Sequence, residues 1–345
     1  MPSSANSEFA AAVAAADTGA IPFDRFMAIA LYGAHGFYTV GGAAGRRGDF
    51  LTSPEVGPLF GAVIARAITG CWRELGEPPD FHVVEVGAGP GTLARGVLAA
   101  KPEGLTTYTA VEVSAAQRER HPANVVSQAA MPTEPFVGMI IANELLDNLP
   151  FRLAVYDSGW REAFVMLGAG GAPEEVLTAP IQPVPAWLPT TAAHGARVPM
   201  QHGAAEWVDR ARQLLTAGRV IAIDYTTQTS AHLASTPWRQ WLRTYRGHER
   251  GSHYLHDVGQ QDITTQVALD QLPAAETLRS QRQFLLRWGI DALVEEGRRV
   301  WSEQAASPTV AALTMRSRIR EAEALLDPTG LGGFSVIEWA PANTL

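Results

Sequence analysis

The chain has 345 residues, is 46% hydrophobic, carries a formal net charge of −8 and contains one cysteine, so it can bury a sizeable core but has no disulfide framework. The acidic balance excludes a broad basic nucleic-acid surface, because phosphate neutralisation needs clustered Lys and Arg, and Lys101 is the only lysine. The alanine-rich start lacks the basic flank of a signal peptide and no later apolar run reaches the length of a membrane span, so the expectation is a soluble, cytoplasmic chain with no membrane partner.

Residues 1–75 read as an N-terminal helical and lid region. Phe26, Met27, Ala30 and Leu31 recur at helical spacing, Gly33 to Arg47 is loop-like, and Gly48 to Glu55 leads into an apolar helix from Leu59 to Leu75. Residues 76–345 read as a second region in which strands and helices alternate. These are Val83 to Val86, a helix from Thr92 to Ala99, Tyr108 to Val113, a helix near Ser114 to Arg120, Val125-Val126, and Met139 to Ala142. Arg152 to Tyr156 and Arg161 to Leu167 read as an antiparallel hairpin, which makes the sheet mixed. Gly, Pro and Thr make 168–202 a loop-rich insertion. Ala204 to Leu215 reads as a helix and Arg219 to Ile223 as a buried strand. The segment 226–330 lies on the substrate side, is helical from about Leu278 to Leu326, and precedes a last strand, Phe334 to Trp339. The expected fold is α/β, a Rossmann-like sheet with helical N-terminal and C-terminal additions.

Three strand ends carry chemistry. Val83 to Val86 runs into Gly87-Ala88-Gly89-Pro90-Gly91-Thr92, where glycines let the backbone approach a ligand at the carboxyl edge of a parallel sheet. A dinucleotide fingerprint needs Gly or Ala at Thr92, so the spacing disfavours a dehydrogenase. Glu112 follows about 20 residues beyond the glycines, at the end of the next strand, where a carboxylate can accept both hydroxyls of a ribose. Ile140 to Pro150 then delivers Asn143, Glu144 and Asp147 to the same edge. Two readings stand for this trio: helix caps with a solvated acid, or groups that hold a donor nitrogen and manage its proton during in-line methyl transfer. Paired carboxylates suit a planar guanidinium.

These motifs resemble the MidA-like family of methyltransferases, which includes a mitochondrial arginine methyltransferase. Gly48 to Glu55 with Phe60-Gly61, Glu85 to Leu93, Val111 to Ser114, Asn143 to Pro150, Ile223 to Tyr225, and Leu242 to His248 with Asp262 to Thr264 follow the family's signatures in order. The resemblance implies S-adenosyl-L-methionine as cofactor, bound through Glu85, Gly87, Gly89, Gly91, Thr92, Leu93 and Glu112, and a protein arginine as acceptor. A small-molecule acceptor, or a non-catalytic assembly factor that keeps the fold, are the alternatives. Asp49, Thr52, Asp224, Tyr225, Tyr245 and His248 fall on the substrate and lid side. Thr226, Trp241 and Gln266 depart from the family pattern and are expected around the acceptor. The spacing of His248, His253 and His256 matches no compact zinc pattern, so no metal is expected. Trp238, Trp241 and Tyr245, at near-helical spacing, read as core.

Overall fold

The computed structural model describes residues 4–40, 52–247, 249–307 and 309–342. Seven strands build the main sheet: β1 (His82–Val86), β2 (Thr107–Val111), β3 (Val126–Gln128), β4 (Phe136–Asn143), β5 (Leu215–Asp224), β6 (Thr277–Ser280) and β7 (Ser335–Trp339). Their spatial order is β3-β2-β1-β4-β5-β7-β6, with β1 to β5 parallel and β7 antiparallel to both neighbours. The chain reverses direction across the sheet between β1 and β4. That leaves a crevice outside their carboxyl ends, which is where open α/β sheets bind ligands.

Alternation along the strands explains why both faces are covered. Val83, Met139, Ile141, Ile221 and Ile223 face the helices Pro58–Glu74 and Thr92–Ala100, while Val84, Ile140, Val220 and Ala222 face Ala204, Val208 and Ala211 of the helix His202–Leu214. Each such Val or Ile, fully buried, contributes on the order of 1.5–3 kcal/mol of transfer free energy. This doubly covered core fixes the strand ends that form the site.

A second sheet joins Ala20–Pro22, Trp160–Leu167, Arg152–Tyr156 and Arg197–Met200, with Pro173–Pro180 also paired to Trp160–Leu167. The helices Ala5–Ala14 and Phe23–Tyr32 pack on it through Phe9, Phe23, Phe26 and Leu31, against Phe151, Leu153 and Val165. The region 1–75 thus divides between two cores, since Pro58–Glu74 packs on the main sheet.

Four sequence expectations differ from the structure. The hairpin forms, but in the second sheet, and the main sheet is mixed because of β7. The segment 168–202 carries two strands; Pro173–Pro180 is a half-exposed edge strand, where terminal prolines cost no ladder bond. Leu278 lies in β6, because the helix starts later: Ser280 and Gln283 form a capping box that opens Gln281–Arg287. The tryptophan stretch is a short 3-10 turn at Trp238–Gln240 followed by a strand at Arg243–Arg246, with Trp241 in the core and Trp238 and Tyr245 half-buried. Among the described residues no helix is long and apolar enough to cross a membrane.

Candidate active site

At the end of β1 the backbone N–H groups of Gly87 and Ala88 both donate to the Val111 carbonyl at 3.0 Å, locking the glycine loop to β2. Gly91 has φ 77° and a Cβ there would sit 3.0 Å from Pro122, so the turn demands glycine on two counts. The loop is braced from outside: His121 Nε2 lies 2.8 Å from the Gly89 carbonyl, and Arg95 donates to the Pro90 carbonyl at 2.8 Å.

Glu112 faces this loop. Its carboxylate accepts from the Gly89 N–H at 2.9 Å and from the Ser114 N–H at 2.8 Å, which fixes its orientation and leaves lone pairs for two further donors. Glu85 sits deeper and accepts from the Tyr108 hydroxyl at 2.7 Å, and burial pushes it up to about 8.

A cavity of about 340 Å³ runs along these strand ends, from Val113, Gln117 and Met131 past the glycine loop to Asn143 and Glu144. Three of its lining residues carry buried polar atoms that have no protein partner: Gln117 Oε1, Asn143 Oδ1 and Trp207 Nε1. Buried polar groups are normally paired, and an orphan facing a cavity marks a place for a ligand atom or an ordered water.

The far end of the cavity is acidic. Glu144, with a left-handed φ of 52°, leaves β4 in a conformation costly for a side chain and is held there by its N–H bond to the Ile223 carbonyl at 2.8 Å. Its carboxyl accepts from the Tyr225 hydroxyl at 2.6 Å and the Asn143 amide at 3.1 Å, and burial pushes it up to about 7. Asp224 is completely buried. It accepts the N–H groups of Tyr225, Leu146 and Asp147, and burial followed by the charge of Glu144 pushes it up to about 8. Asp147 is 3% exposed and accepts from the Thr264 hydroxyl, with its carboxyl raised well above the usual range by burial and by Asp224.

The structure therefore separates the residues that the sequence grouped. Glu85, Gly87, Gly89, Thr92, Leu93, Glu112, Asn143, Glu144 and Thr52 line the cavity, and Gly91 supports its loop. Asp147 and Asp224 do not line it: they form the floor, with Asp224 capping the turn that carries Glu144. Tyr225 reaches the site only through Glu144, and Tyr245 lies on a strand outside the cavity. Asp49 and His248 lie outside the described residues. The three departures from the family pattern are also remote. Trp241 is 1% exposed and donates to the Leu233 carbonyl, Thr226 bonds Ser335, and the Gln266 N–H bonds the Trp241 carbonyl, and none of the three lines the cavity.

Sequence reasoning missed Tyr32 and Tyr38. Their rings stack at 5.5 Å and line the cavity; Tyr32 donates to the Asn148 carbonyl at 3.1 Å and Tyr38 to Asp262 at 2.9 Å. Asn148 also donates to Asp262, at 3.0 Å. Gln117, Met131, Trp207 and the exposed Arg210 also line the cavity and were missed. Among the described residues no three His, Cys, Asp or Glu side chains are placed to hold a metal ion.

A protein-family model described as "Putative S-adenosyl-L-methionine-dependent methyltransferase" matches residues 63–285. The chain belongs to this family. It is the MidA-like family that the ordered motifs resemble, and its cofactor is S-adenosyl-L-methionine. Among curated proteins, the mitochondrial protein arginine methyltransferase NDUFAF7 homolog of Drosophila melanogaster is 30% identical over 46% of this chain and 44% of its own length. The Homo sapiens protein arginine methyltransferase NDUFAF7 is 35% identical over 24% of this chain and 19% of its length. The chain thus spans less than half the length of these relatives. A Burkholderia thailandensis structure bound to S-adenosyl-homocysteine superposes with TM-score 0.82 at 27% identity, covering 97% of this chain and 91% of that one.

Proposed function

We propose that the chain transfers the methyl group of S-adenosyl-L-methionine to a guanidinium nitrogen of a protein arginine, with Glu144 as the proton acceptor. The observation that carries this reading is Glu144 itself, a buried carboxyl on a strained backbone in the cavity wall beside the orphaned Asn143 Oδ1. The curated relatives named as arginine methyltransferases support the choice of acceptor.

The cofactor fits the opposite end. Glu112 offers a carboxylate for vicinal hydroxyls, Gln117 Oε1 an acceptor for a base amino group, and Trp207 Nε1 a donor. When bound, S-adenosyl-L-methionine supplies a methyl already activated by its sulfonium.

What remains for the protein is alignment and proton management. Asn143 Oδ1 and Glu144 accept N–H bonds from the guanidinium and turn one nitrogen toward the methyl. As the C–N bond forms and the methyl–sulfur bond breaks, leaving S-adenosyl-homocysteine, that nitrogen would become more acidic and Glu144 would take its proton. With a value of about 7, Glu144 can accept a proton and release it to solvent afterwards. Tyr225 and the Asn143 amide hold the carboxylate by hydrogen bonds that favour its ionised form. Tyr32 and Tyr38 wall the same end. The lone thiol, Cys71, is buried and unpaired, which suits a reducing, cytoplasmic setting.

The test is label transfer from methyl-labelled S-adenosyl-L-methionine to arginine-containing protein fractions and, in parallel, to a small-metabolite pool. Label on arginine side chains supports the acceptor. Label confined to small molecules contradicts it.

A further inference from the structure

A second cavity, of about 230 Å³, shares no lining residue with the first. Trp238, Leu242 and Tyr254 form its apolar walls, and three arginines, Arg239, Arg243 and Arg250, face it. Among the described residues none of these three guanidiniums is in an ion pair. Arg243 gives only its Nε–H, to the Gln240 carbonyl at 2.7 Å, and Arg239 rests on the Trp238 ring at 4.3 Å.

The nearby carboxylates are otherwise engaged or face solvent. Glu175 takes two bonds from Arg197, at 2.6 and 2.8 Å, and one from the Tyr254 hydroxyl at 2.7 Å. Asp257 accepts from the Ser252 hydroxyl at 2.8 Å, and Glu249 is exposed on the strand beside Arg250. His253 adds a neutral donor. Its Nδ1 accepts from the Leu255 N–H at 3.3 Å, which puts the ring proton on Nε2, and burial, His256, Arg239 and Arg197 hold its value below the ordinary one.

Three arginines, Arg239 and Arg250 exposed and Arg243 half-buried, line this cavity with no ion-pair partner among the described residues, on a chain whose net charge is −8. In a concave site such charges repel one another and focus a positive field, and an anion relieves that repulsion. Guanidinium forks match the paired oxygens of carboxylate and phosphoryl groups. We propose that this cavity is an oxyanion-binding site, in which Arg239, Arg243 and Arg250, with His253 beside them, hold a phosphoryl or carboxylate group of a ligand.

The position gives the site a link to the first cavity. Arg243 and Tyr245 pair with Thr264 and Asp262, the strand whose side chains bond Asp147, Asn148 and Tyr38. An anion bound here therefore lies on the strand next to the acidic floor. The proposal does not depend on the methyl-transfer reading, because it concerns separate lining residues.

The test is calorimetric titration of inorganic phosphate, and separately of glutarate, into the full chain, its R239A/R250A variant and the charge-retaining R239K/R250K variant. Saturable binding that weakens with added salt, falls by about tenfold or more in the alanine variant and is partly kept in the lysine variant supports the site. Tighter binding of phosphate than of glutarate assigns a phosphoryl group, and the reverse assigns a carboxylate. S-adenosyl-homocysteine affinity serves as the folding control and stays unchanged. Should R239A/R250A fail that control, R250Q, a change at an exposed side chain, replaces it with the same expectation of weaker binding. No saturable binding of either anion to the wild type, or equal binding by the wild type and a folded alanine or R250Q variant, overturns the proposal.

Discussion

Glu112 and Glu144 are carboxylates at the ends of two strands of one sheet, and their surroundings differ. Glu112 accepts two backbone N–H groups from the loops on either side of it, so its charge is compensated by fixed dipoles. Glu144 lies among Asp224, Asp147 and Asp262, with a tyrosine and an amide as its side-chain donors, and burial pushes it to about 7. The first arrangement suits holding a neutral polyol. The second, a buried carboxyl raised toward neutral pH and held by a tyrosine and an amide, suits receiving a donor nitrogen and taking its proton.

The largest expected effect breaks this comparison at Glu144. Glu144→Gln keeps the shape and the Tyr225 contact but cannot take a proton, and methyl transfer is expected to fall about 10²–10⁴-fold in single-turnover label transfer. Glu112→Ala strands the Gly89 and Ser114 amides and removes the hydroxyl acceptor, and S-adenosyl-homocysteine affinity is expected to fall roughly 10–100-fold by calorimetry.

The third effect is on stability against pH. Glu85, Glu144 and Asp224 are pushed up to about 8, 7 and 8, above their ordinary values near 4, so the folded chain binds more protons than the unfolded one in between. Their contribution is present below about pH 4 and is lost as pH rises through 7 to 8. The melting temperature set by these groups is expected to fall between pH 5 and 8.5 (roughly, from that window), and Glu85→Gln reduces the fall. The smallest effect comes from Tyr38→Phe, which removes one donor to Asp262 and costs about 1 kcal/mol in denaturant unfolding.

The cofactor half was legible because backbone geometry constrains its residue types. A strand-to-helix turn with Gly91 at positive φ needs glycine, and the next strand end needs an acceptor opposite it. The half that carries Asn143 and Glu144 was legible only as a motif. Asn143 and Glu144 reach the cavity, whereas Asp147, three residues along the same turn, points into the floor, and no spacing rule distinguishes a lining carboxyl from a buried one. Tyr32 and Tyr38 were invisible for another reason: their partners Asn148 and Asp262 lie 116 and 224 residues away, and pairing at that separation leaves no local pattern. Gln117 and Trp207 read as ordinary helix positions; what marks them is an unpaired buried atom, which only packing reveals. The helix begins after Leu278, at a boundary that the Ser280–Gln283 capping box marks in the sequence itself.

The most direct measurement of the division between the two ends is calorimetric titration of S-adenosyl-homocysteine into the wild type, Glu112→Ala and Glu144→Gln at one pH, with methyl transfer assayed on the same samples. The account predicts that Glu112→Ala loses affinity, while Glu144→Gln binds as the wild type does and has lost transfer. Equal loss of affinity in both variants, or undiminished transfer by Glu144→Gln, would contradict it.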